Sequence, residues 1–357
     1  MSGPRYRLRP SIEPFVDRHG ELCLVRPGGQ DLIVRRPEAT DVALVRELRD
    51  VWATAEDLAQ RVGVDAAVVQ HKLDSLAAAD LVVVNTASPA APLAGEDAER
   101  FSRQLPYLAE LGDDVRLQRG LRDSTVAVIG CGGLGTWVIA ALACVGVGRM
   151  VLIDDDRVAL SNLNRQILYS RADVGTAKVG AAATWVNGFD PAIRVRAVER
   201  RMASADDVVA NVAGADVVVL AADWPPYEIS RWVNAACLQA RIPFIAAGQL
   251  PPIVKVGPTY VPGAGPCFTC HETALAKSSR SYEDYVAFRG SEPTTAPTLG
   301  PGSCIVGGML GMELLHLLTG QVPATQGVAV LLNMTTMTIR HERVDRDRDC
   351  AACKHLS

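Results

Sequence analysis

Short apolar runs separated by helix-length segments recur along the last two thirds of the chain. The clearest of these runs predict strands at Val126 to Ile129, Val151 to Ile153, Val217 to Ala221 and Ile242 to Ala246. Uninterrupted apolar runs that alternate with helices are typical of parallel strands buried on both faces. We therefore predict an α/β fold with a mostly parallel sheet covered by helices on both sides.

The N-terminal part of the chain has the pattern of a small α+β domain. Two β-rich runs, Cys23 to Val25 and Leu32 to Val34, flank a Pro-Gly-Gly turn and predict a hairpin. Three helical segments follow, and the run Leu81 to Val84 predicts a returning strand. This arrangement is typical of a winged helix.

Capping residues predict where the three N-terminal helices begin and end. We expect N-caps at Thr40, Thr54 and Asp65, whose short polar side chains accept hydrogen bonds from the first turn. Gly63 is expected to end the second helix.

An Ala- and Pro-rich stretch, Asn85 to Ala98, marks a domain boundary. We predict a winged-helix domain over 1–88, a connecting segment over 89–120 and an α/β domain over 121–357.

The charge distribution excludes nucleic acid as an expected partner. The 36 basic and 40 acidic side chains leave a formal charge of -4. Between Thr54 and Asn85 the winged helix carries five acidic and two basic side chains, the reverse of a phosphate-binding face. A winged-helix regulator of DNA is therefore only a remote alternative.

The chain also lacks the pattern of a signal peptide or a membrane anchor. Its basic N-terminal residues are not followed by an apolar region. Ser124 to Gly148 is uncharged and long enough to span a bilayer, but its glycines divide it into a strand, a loop and a helix. We expect a cytoplasmic protein without a membrane span.

A glycine-rich loop follows the first predicted strand of the α/β domain. The loop "GCGGLG" contains Gly130, Gly132, Gly133 and Gly135 and opens a helix, so its backbone can approach a phosphate at the helix N-terminus. Asp154 lies 24 residues after Gly130, at the end of the next strand, where a carboxylate can bind ribose. This Rossmann-like pattern alone fits NAD, FAD and ATP equally.

The residues after Asp154 favour ATP. Asn162, Arg165 and Lys178 follow within two motifs, "SNLNRQ" and "VGTAKV". A dinucleotide whose pyrophosphate is held by the helix N-terminus needs no such cations, whereas a triphosphate that is cleaved does. Asp223, in "LAADW" after another strand, is a candidate Mg²⁺ ligand, because Mg²⁺ takes few protein ligands when phosphates supply the rest.

Together these motifs resemble the ThiF/MoeB family, relatives of the ubiquitin-activating enzymes. "VAVIGCGGLG", "LIDDDRVALSNLNRQ", "VGTAKV" and "AADW" carry the resemblance, which covers Glu99 to the C-terminus. It implies that a carboxylate attacks the α-phosphate of MgATP, giving an acyl adenylate and pyrophosphate. It also implies that 89–120 contains an arm, "RFSRQL", whose Arg103 reaches the phosphates of the opposite subunit of a homodimer.

The resemblance assigns candidate roles residue by residue. The candidate catalytic residues are Arg165, Lys178, Asp223 and Arg103. The candidate ATP-binding residues are Gly130, Gly132, Gly133, Gly135, Asp154, Asp156, Asn162 and Gln166.

Two Cys-x-x-Cys pairs predict a metal site. Cys267 with Cys270, and Cys350 with Cys353, offer four thiolates at spacings that suit tetrahedral Zn²⁺. Because all four positions are filled by protein, we expect a structural ion. His271 and His355 lie beside the pairs and are alternative ligands.

The chain departs from the family where many relatives carry a nucleophilic cysteine. Alignment places that position near Thr294 to Thr298, which contains no cysteine. Cys304 is predicted to pack as a small apolar residue at a helix start, with a displaced nucleophile as the alternative. The adenylate is then passed directly to an acceptor, as the resemblance to adenylating enzymes of the microcin C type also implies.

The N-terminal domain resembles the peptide-recognition domains of enzymes that modify ribosomal peptides, in which a leader peptide adds a third strand to the hairpin. The alternative is a module that serves only dimerisation or packing. We therefore predict ATP-dependent adenylation of a carboxylate or amide on a ribosomally made peptide. One alternative substrate is a sulfur-carrier protein that ends in Gly-Gly. A second alternative is a non-catalytic scaffold that presents a leader peptide to a separate cyclodehydratase.

Overall fold

Two units make up the chain, Met1–Arg119 and Gly120–Ser357. The computed structural model describes residues 3–26, 28–29, 31–88, 90–291 and 297–356. The strands of the first unit are β1 (Arg5–Leu8), β2 (Glu13–Val16), β3 (Leu22–Val25), β4 (Leu32–Val34), β5 (Ala53–Thr54) and β6 (Val82–Asn85). The helices that begin in it are α1 (Ala39–Asp50), α2 (Ala55–Val62), α3 (Ala66–Ala78), α4 (Glu96–Arg100), α5 (Leu105–Ala109) and α6 (Asp114–Asp123).

The first unit contains two small antiparallel sheets, with strand orders β5-β1-β6 and β2-β3-β4. Its core forms where α1, α2 and α3 pack on the inner faces of these sheets, and Leu24, Leu48, Leu58 and Leu73 are fully buried there. The predicted hairpin and returning strand are present as β3, β4 and β6. The hairpin already has a third strand, β2, from its own chain. A leader peptide would therefore be a fourth strand and not a third.

The capping predictions are confirmed for two helices and wrong for one. Thr54 and Asp65 cap α2 and α3 through their side chains, and Gly63 ends α2 with φ 76°. Helix α1 begins earlier than expected, because Glu38 is its N-cap and pairs reciprocally with Asp41 in a capping box.

The second unit is a Rossmann-like α/β domain. Its strands are β7 (Thr125–Ile129), β8 (Arg149–Ile153), β9 (Arg194–Val198), β10 (Val217–Leu220), β11 (Phe244–Leu250), β12 (Ile253–Tyr260), β13 (Val328–Asn333) and β14 (Thr338–Arg343). Its helices are α7 (Gly133–Val145), α8 (Lys178–Phe189), α9 (Ala205–Val212), α10 (Glu228–Ala240), α11 (Phe268–Ser278), α12 (Tyr282–Ser291) and α13 (Gly300–Leu318). The strands form one sheet in the order β14-β13-β12-β11-β10-β7-β8-β9.

All four predicted strands of this sheet are present. The five neighbouring strands β9, β8, β7, β10 and β11 run parallel to one another. The edge made of β12, β13 and β14 is antiparallel. Alternate residues of β7 show how the sheet is covered. Val126 and Val128 face a core shared with α7, α8 and α13, while Ala127 and Ile129 face a core shared with α9 and α10.

Helix α13 is the one helix in the described residues that is long and apolar enough to cross a membrane, and half of it is buried within the fold. It lies against α7, where a Cβ on Gly307 would stand 2.3 Å from Trp137 and one on Gly311 would stand 2.9 Å from Ala141. Glycines thus permit the close approach of the two helices. Ser124 to Gly148 forms β7, a loop and α7, as predicted.

Candidate active site

The glycine loop turns the chain sharply from β7 into α7. Gly130 has φ 98°, and a Cβ there would lie 2.6 Å from the backbone nitrogen of Ala222, just after β10. A Cβ on Gly135 would lie 1.9 Å from the carbonyl oxygen of Gly130. Only glycine fits either position, so the loop stays narrow and its N–H groups remain accessible at the start of α7.

Asp154 ties the end of β8 to this loop. Its two oxygens accept hydrogen bonds from the N–H of Cys131, at 2.6 Å, and from the N–H of Asp156, at 2.8 Å. Burial raises the pKa of Asp154, while Lys178 and the two backbone donors oppose the shift. The carboxylate is thus fixed beside the loop.

Lys178 is the first residue of α8 and is almost completely buried. Its Nζ donates to the carboxylate of Asp156 at 2.8 Å. The hydroxyl of Tyr169 donates to the carbonyl of Cys131 at 2.8 Å and also lies 3.3 Å from the carbonyl of Lys178. Tyr169, which the sequence analysis missed, therefore joins the glycine loop to the start of α8.

Arg165 and Gln166 lie under the other side of the loop. The Cδ of Arg165 is 3.4 Å from the position of a Cβ on Gly133, and its guanidinium donates to the carbonyl of Ser161. Gln166 is 3% exposed, and its Oε1 is buried without a hydrogen-bond partner in the described part of the chain. The same amide lies near Gly132. Both side chains can therefore offer polar groups to a ligand on the loop.

The remaining predicted residues are Asn162, Asp223 and Arg103. Asn162 accepts a hydrogen bond from the N–H of Ala159 and stabilises the turn that places Arg165. Asp223 follows β10 and is exposed, with no hydrogen-bond partner for its carboxylate among the described residues. Arg103 is exposed between α4 and α5 of the first unit.

Two further polar residues border the loop and were missed. Ser303, 1% exposed at the start of α13, places its Oγ 3.3 Å from the position of a Cβ on Gly133. Its hydroxyl accepts from Nε2 of Gln249 at 2.9 Å, and Oε1 of Gln249 is buried without a partner among the residues described. The glycine-rich run "GPGSC", which begins α13, was the sequence feature that could have indicated Ser303.

The four cysteines of the two pairs converge in a buried cluster. Their sulfurs are 3.8 Å apart for Cys267 and Cys270, 3.7 Å for Cys267 and Cys350, and 3.6 Å for Cys270 and Cys353. A tetrahedral ion with Zn–S bonds of about 2.3 Å separates its sulfurs by about 3.8 Å. The cluster therefore fits a structural zinc.

The two histidines beside the pairs are placed differently. Nδ1 of His271 is 2.7 Å from the hydroxyl of Tyr260, and His355 is exposed. Among the described residues, neither histidine contributes a ligand atom to the group formed by the four cysteine sulfurs.

Cys304 does not pack into the core, so that prediction is wrong. It is exposed on α13, because Gly302 and Ser303 occupy the buried positions of the first turn. Of the segment Thr294 to Thr298, the residues Thr294, Thr295 and Ala296 lie outside the described part of the chain.

Comparison with known proteins identifies the family. Residues 101–353 match the ThiF family, which is most of the chain. The chain belongs to the ThiF family. It is 34% identical over 257 residues to the SAMP-activating enzyme E1 of Haloferax volcanii, covering 71% of this chain and 88% of that protein. It is 32% identical over 266 residues to the sulfur carrier protein ThiS adenylyltransferase of Escherichia coli, covering 72% of this chain and 95% of that protein.

The fold of this ThiF-family protein also resembles solved structures along its whole length. E. coli MccB with ATP superposes with a TM-score of 0.75 at 21% identity, and the match covers 98% of this chain and 99% of MccB. Family and fold together make the protein an ATP-dependent nucleotidyltransferase, an adenylyltransferase.

Proposed function

We propose that this adenylyltransferase activates a carboxylate or amide on a ribosomally made peptide that its first unit captures. The observation that carries the proposal is the correspondence of the whole chain, first unit included, to MccB, which has been solved with the peptide MccA. The alignment with the ThiS adenylyltransferase, by contrast, spans 95% of that protein but only 72% of this chain. A substrate-capturing role for the first unit explains why the chain exceeds that length.

The β2-β3-β4 sheet supports peptide capture. β4 is an edge strand, so one side of its backbone is open to pairing with an extended chain. Ile33 on β4 and Phe15 on β2 lie on either side of Cys23 in the central strand β3. The side chain of Ile33 is 52% exposed and that of Phe15 is 51% exposed. An extended peptide beside β4 would bury apolar area on this face as well as form main-chain hydrogen bonds.

The second unit would supply the chemistry. The N–H groups of the glycine loop and the side chains of Arg165 and Lys178 would hold the phosphates, and Asp154 the ribose. An oxygen of the substrate then attacks the α-phosphorus, the bond to the β-phosphate breaks, and pyrophosphate leaves. The cations would offset negative charge on the transferring and leaving groups, which is the main contribution a protein makes to such a reaction.

Asp223, Asn162 and Arg103 complete the proposed site. The carboxylate of Asp223 would bind Mg²⁺ together with phosphate oxygens, because its own oxygens are not engaged by described residues. Asn162 would position Arg165 and contact phosphate. Arg103 would reach the phosphates bound by the second subunit of a homodimer. Zinc at the four cysteines would join the C-terminal tail to the start of α11 and take no part in the reaction.

Adenylation of a sulfur-carrier protein is the second candidate function. The observation that favours it is the 32% identity to the ThiS adenylyltransferase of E. coli. Both candidates use the same ATP site and differ in what the first unit binds.

ATP–pyrophosphate exchange separates the two candidates. The acyl substrates are synthetic peptides from short reading frames beside the gene, and the purified sulfur carrier of the same organism. We expect exchange with a peptide, and Ile33→Lys should raise the peptide KM about tenfold while the ATP KM stays unchanged. Val84→Lys, on β6 of the other sheet and 45% exposed, is the matched control. Exchange with the carrier alone, unaffected by Ile33→Lys, would refute peptide capture.

A further inference from the structure

An apolar cavity of about 510 Å³ lies at the start of α13. It is open to solvent on one side and is bordered by the turn between β11 and β12, the start of α13, and the turn between β13 and β14. Its apolar lining includes Pro251, Leu299, Ile305, Met334 and Met337. Among the described residues, its lining contains no charged side chain. A carboxylate or ammonium placed inside would lose its hydration without gaining a partner.

The first turn of α13 lies between the cavity and the glycine loop. Gly302 lines the cavity, and the next residue, Ser303, stands against Gly133 of the loop. Gln249 donates to Ser303 and also lies 4.0 Å from the position of a Cβ on Gly302. One polar atom of the Gln249 amide, which lies near Gly302, therefore lacks a partner among the described residues, whichever way the amide is turned. A backbone amide of a bound peptide could satisfy it.

The sheet order places the cavity on the acyl side of the site. Asp154 follows β8, the glycine loop follows β7, and Asp223 follows β10. The cavity begins at the end of β11, three strands across the sheet from β8 and four residues beyond Ala246, which is level with the end of β8. The nucleoside would occupy the β8 side and the reacting phosphate the centre, which leaves the β11 side for the group that is activated.

We propose that the acyl substrate carries a large apolar side chain next to the activated carbonyl, and that this cavity binds it. The proposal rests on the proposed adenylation at this site but on neither candidate substrate. A Gly-Gly terminus would leave the cavity empty, and a charged terminal residue would be rejected.

Exchange with small acyl probes measures this selectivity without knowledge of the natural substrate. N-acetyl-Ala-Leu, N-acetyl-Ala-Gly and N-acetyl-Ala-Asp are compared at millimolar concentration. We expect kcat/KM to be at least about tenfold higher for the Leu probe than for the Gly probe. Leu299→Ser should reduce this ratio several-fold, and serine at this N-cap position supports α13. Val322→Ser, 76% exposed elsewhere, should leave the ratio unchanged.

The outcomes separate the proposal from the reaction on which it rests. Exchange with a preference for the Gly or Asp probe would overturn the cavity assignment and leave adenylation intact. If no probe supports exchange, ligand-observed NMR with a non-hydrolysable ATP analogue measures binding alone. Equal binding of the three probes, or a ratio unaffected by Leu299→Ser, would overturn the proposal. Loss of dimer on Leu299→Ser would assign the cavity to a subunit contact instead and would also overturn it.

Discussion

The ammonium of Lys178 is 2.8 Å from the carboxylate of Asp156, and the two partners differ sharply in exposure. The lysine side chain is 7% exposed and that of the aspartate 62%. The hydrogen-bonded partner of this buried lysine is thus a solvated carboxylate, which holds the ammonium in place. A phosphate arriving at the glycine loop would meet an ammonium already held in place.

Replacement of Lys178 by methionine is expected to abolish most activity. Lys178→Met keeps the buried hydrocarbon stem and removes the charge, so the protein should fold with little change in its free energy of unfolding. ATP–pyrophosphate exchange should fall about 10²- to 10³-fold, the usual effect of removing one preorganised electrostatic contact. Asp156→Asn is the complementary variant and should lower stability in the absence of ATP because it leaves the buried ammonium unpaired. Unchanged exchange in Lys178→Met would exclude Lys178 from phosphate binding.

Glycine substitutions at two positions of the loop, three residues apart, should have opposite outcomes. Gly135→Ala forces a Cβ to within 1.9 Å of the Gly130 carbonyl, so we expect a loss of about 3 kcal/mol or more in stability and little ATP binding. At Gly132 the nearest atom to a Cβ is 3.8 Å away, in the amide of Gln166, and φ is -87°. Gly132→Ala should therefore fold normally. Thermal unfolding and the ATP KM measure both effects, and equal behaviour of the two variants would contradict the loop geometry.

Local patterns in the sequence predicted the parts of the fold that depend on local physics. Apolar runs gave the strands β7, β8, β10 and β11, and the spacing of glycines with Asp154 gave the loop. The antiparallel edge could not be predicted in this way. β14 is exposed at every residue, so it has no apolar signature, and its pairing with β13 depends on contacts with the rest of the sheet.

The same limit applies to the candidate site. Ser303 and Gln249 are 54 residues apart in the chain and meet only because α13 packs against the end of β11. Tyr169 has no motif around it that distinguishes it from a core tyrosine, yet its hydroxyl joins the loop to α8. The burial of Lys178 and its pairing with Asp156 are likewise tertiary properties. Sequence indicates which residue types are present, and packing decides which of them face the loop.

Metal analysis should find one zinc per chain, held by the four-cysteine cluster. Cys353→Ser should release it and lower the free energy of unfolding by at least about 3 kcal/mol, because metal binding contributes directly to folding. Cys144→Ser, at an exposed cysteine outside the cluster, should retain the metal and full stability. Zinc content and denaturant unfolding are measured for both. A Cys353→Ser protein that is metal-free but equally stable would show that the cluster does not depend on an ion.

Lys255 offers a test of stability that is independent of activity. It lies in the middle of the sheet on β12, opposite Gly248 and Leu331, and its ammonium makes no hydrogen bond to the described residues. Burial lowers the pKa of Lys255 below its ordinary value, with Glu342 opposing the shift. Folding thus disfavours the charged lysine, and Lys255→Met should stabilise the protein at neutral pH by about 1 kcal/mol.

The pH dependence of that gain identifies its cause. A lysine whose pKa is lower in the folded than in the unfolded chain destabilises folding most below the folded pKa. The penalty fades as pH rises through the folded pKa toward about 10.4, the pKa of the unfolded side chain, and vanishes only above that pH, where both states are neutral. The advantage of Lys255→Met in urea unfolding should therefore be largest at pH 7 and several-fold smaller near pH 10.5. Lys277→Met, at an exposed lysine of α11, should change stability by less than about 0.5 kcal/mol at either pH. An advantage of Lys255→Met that is the same at both pH values would mean that better apolar packing, and not the buried charge, is responsible.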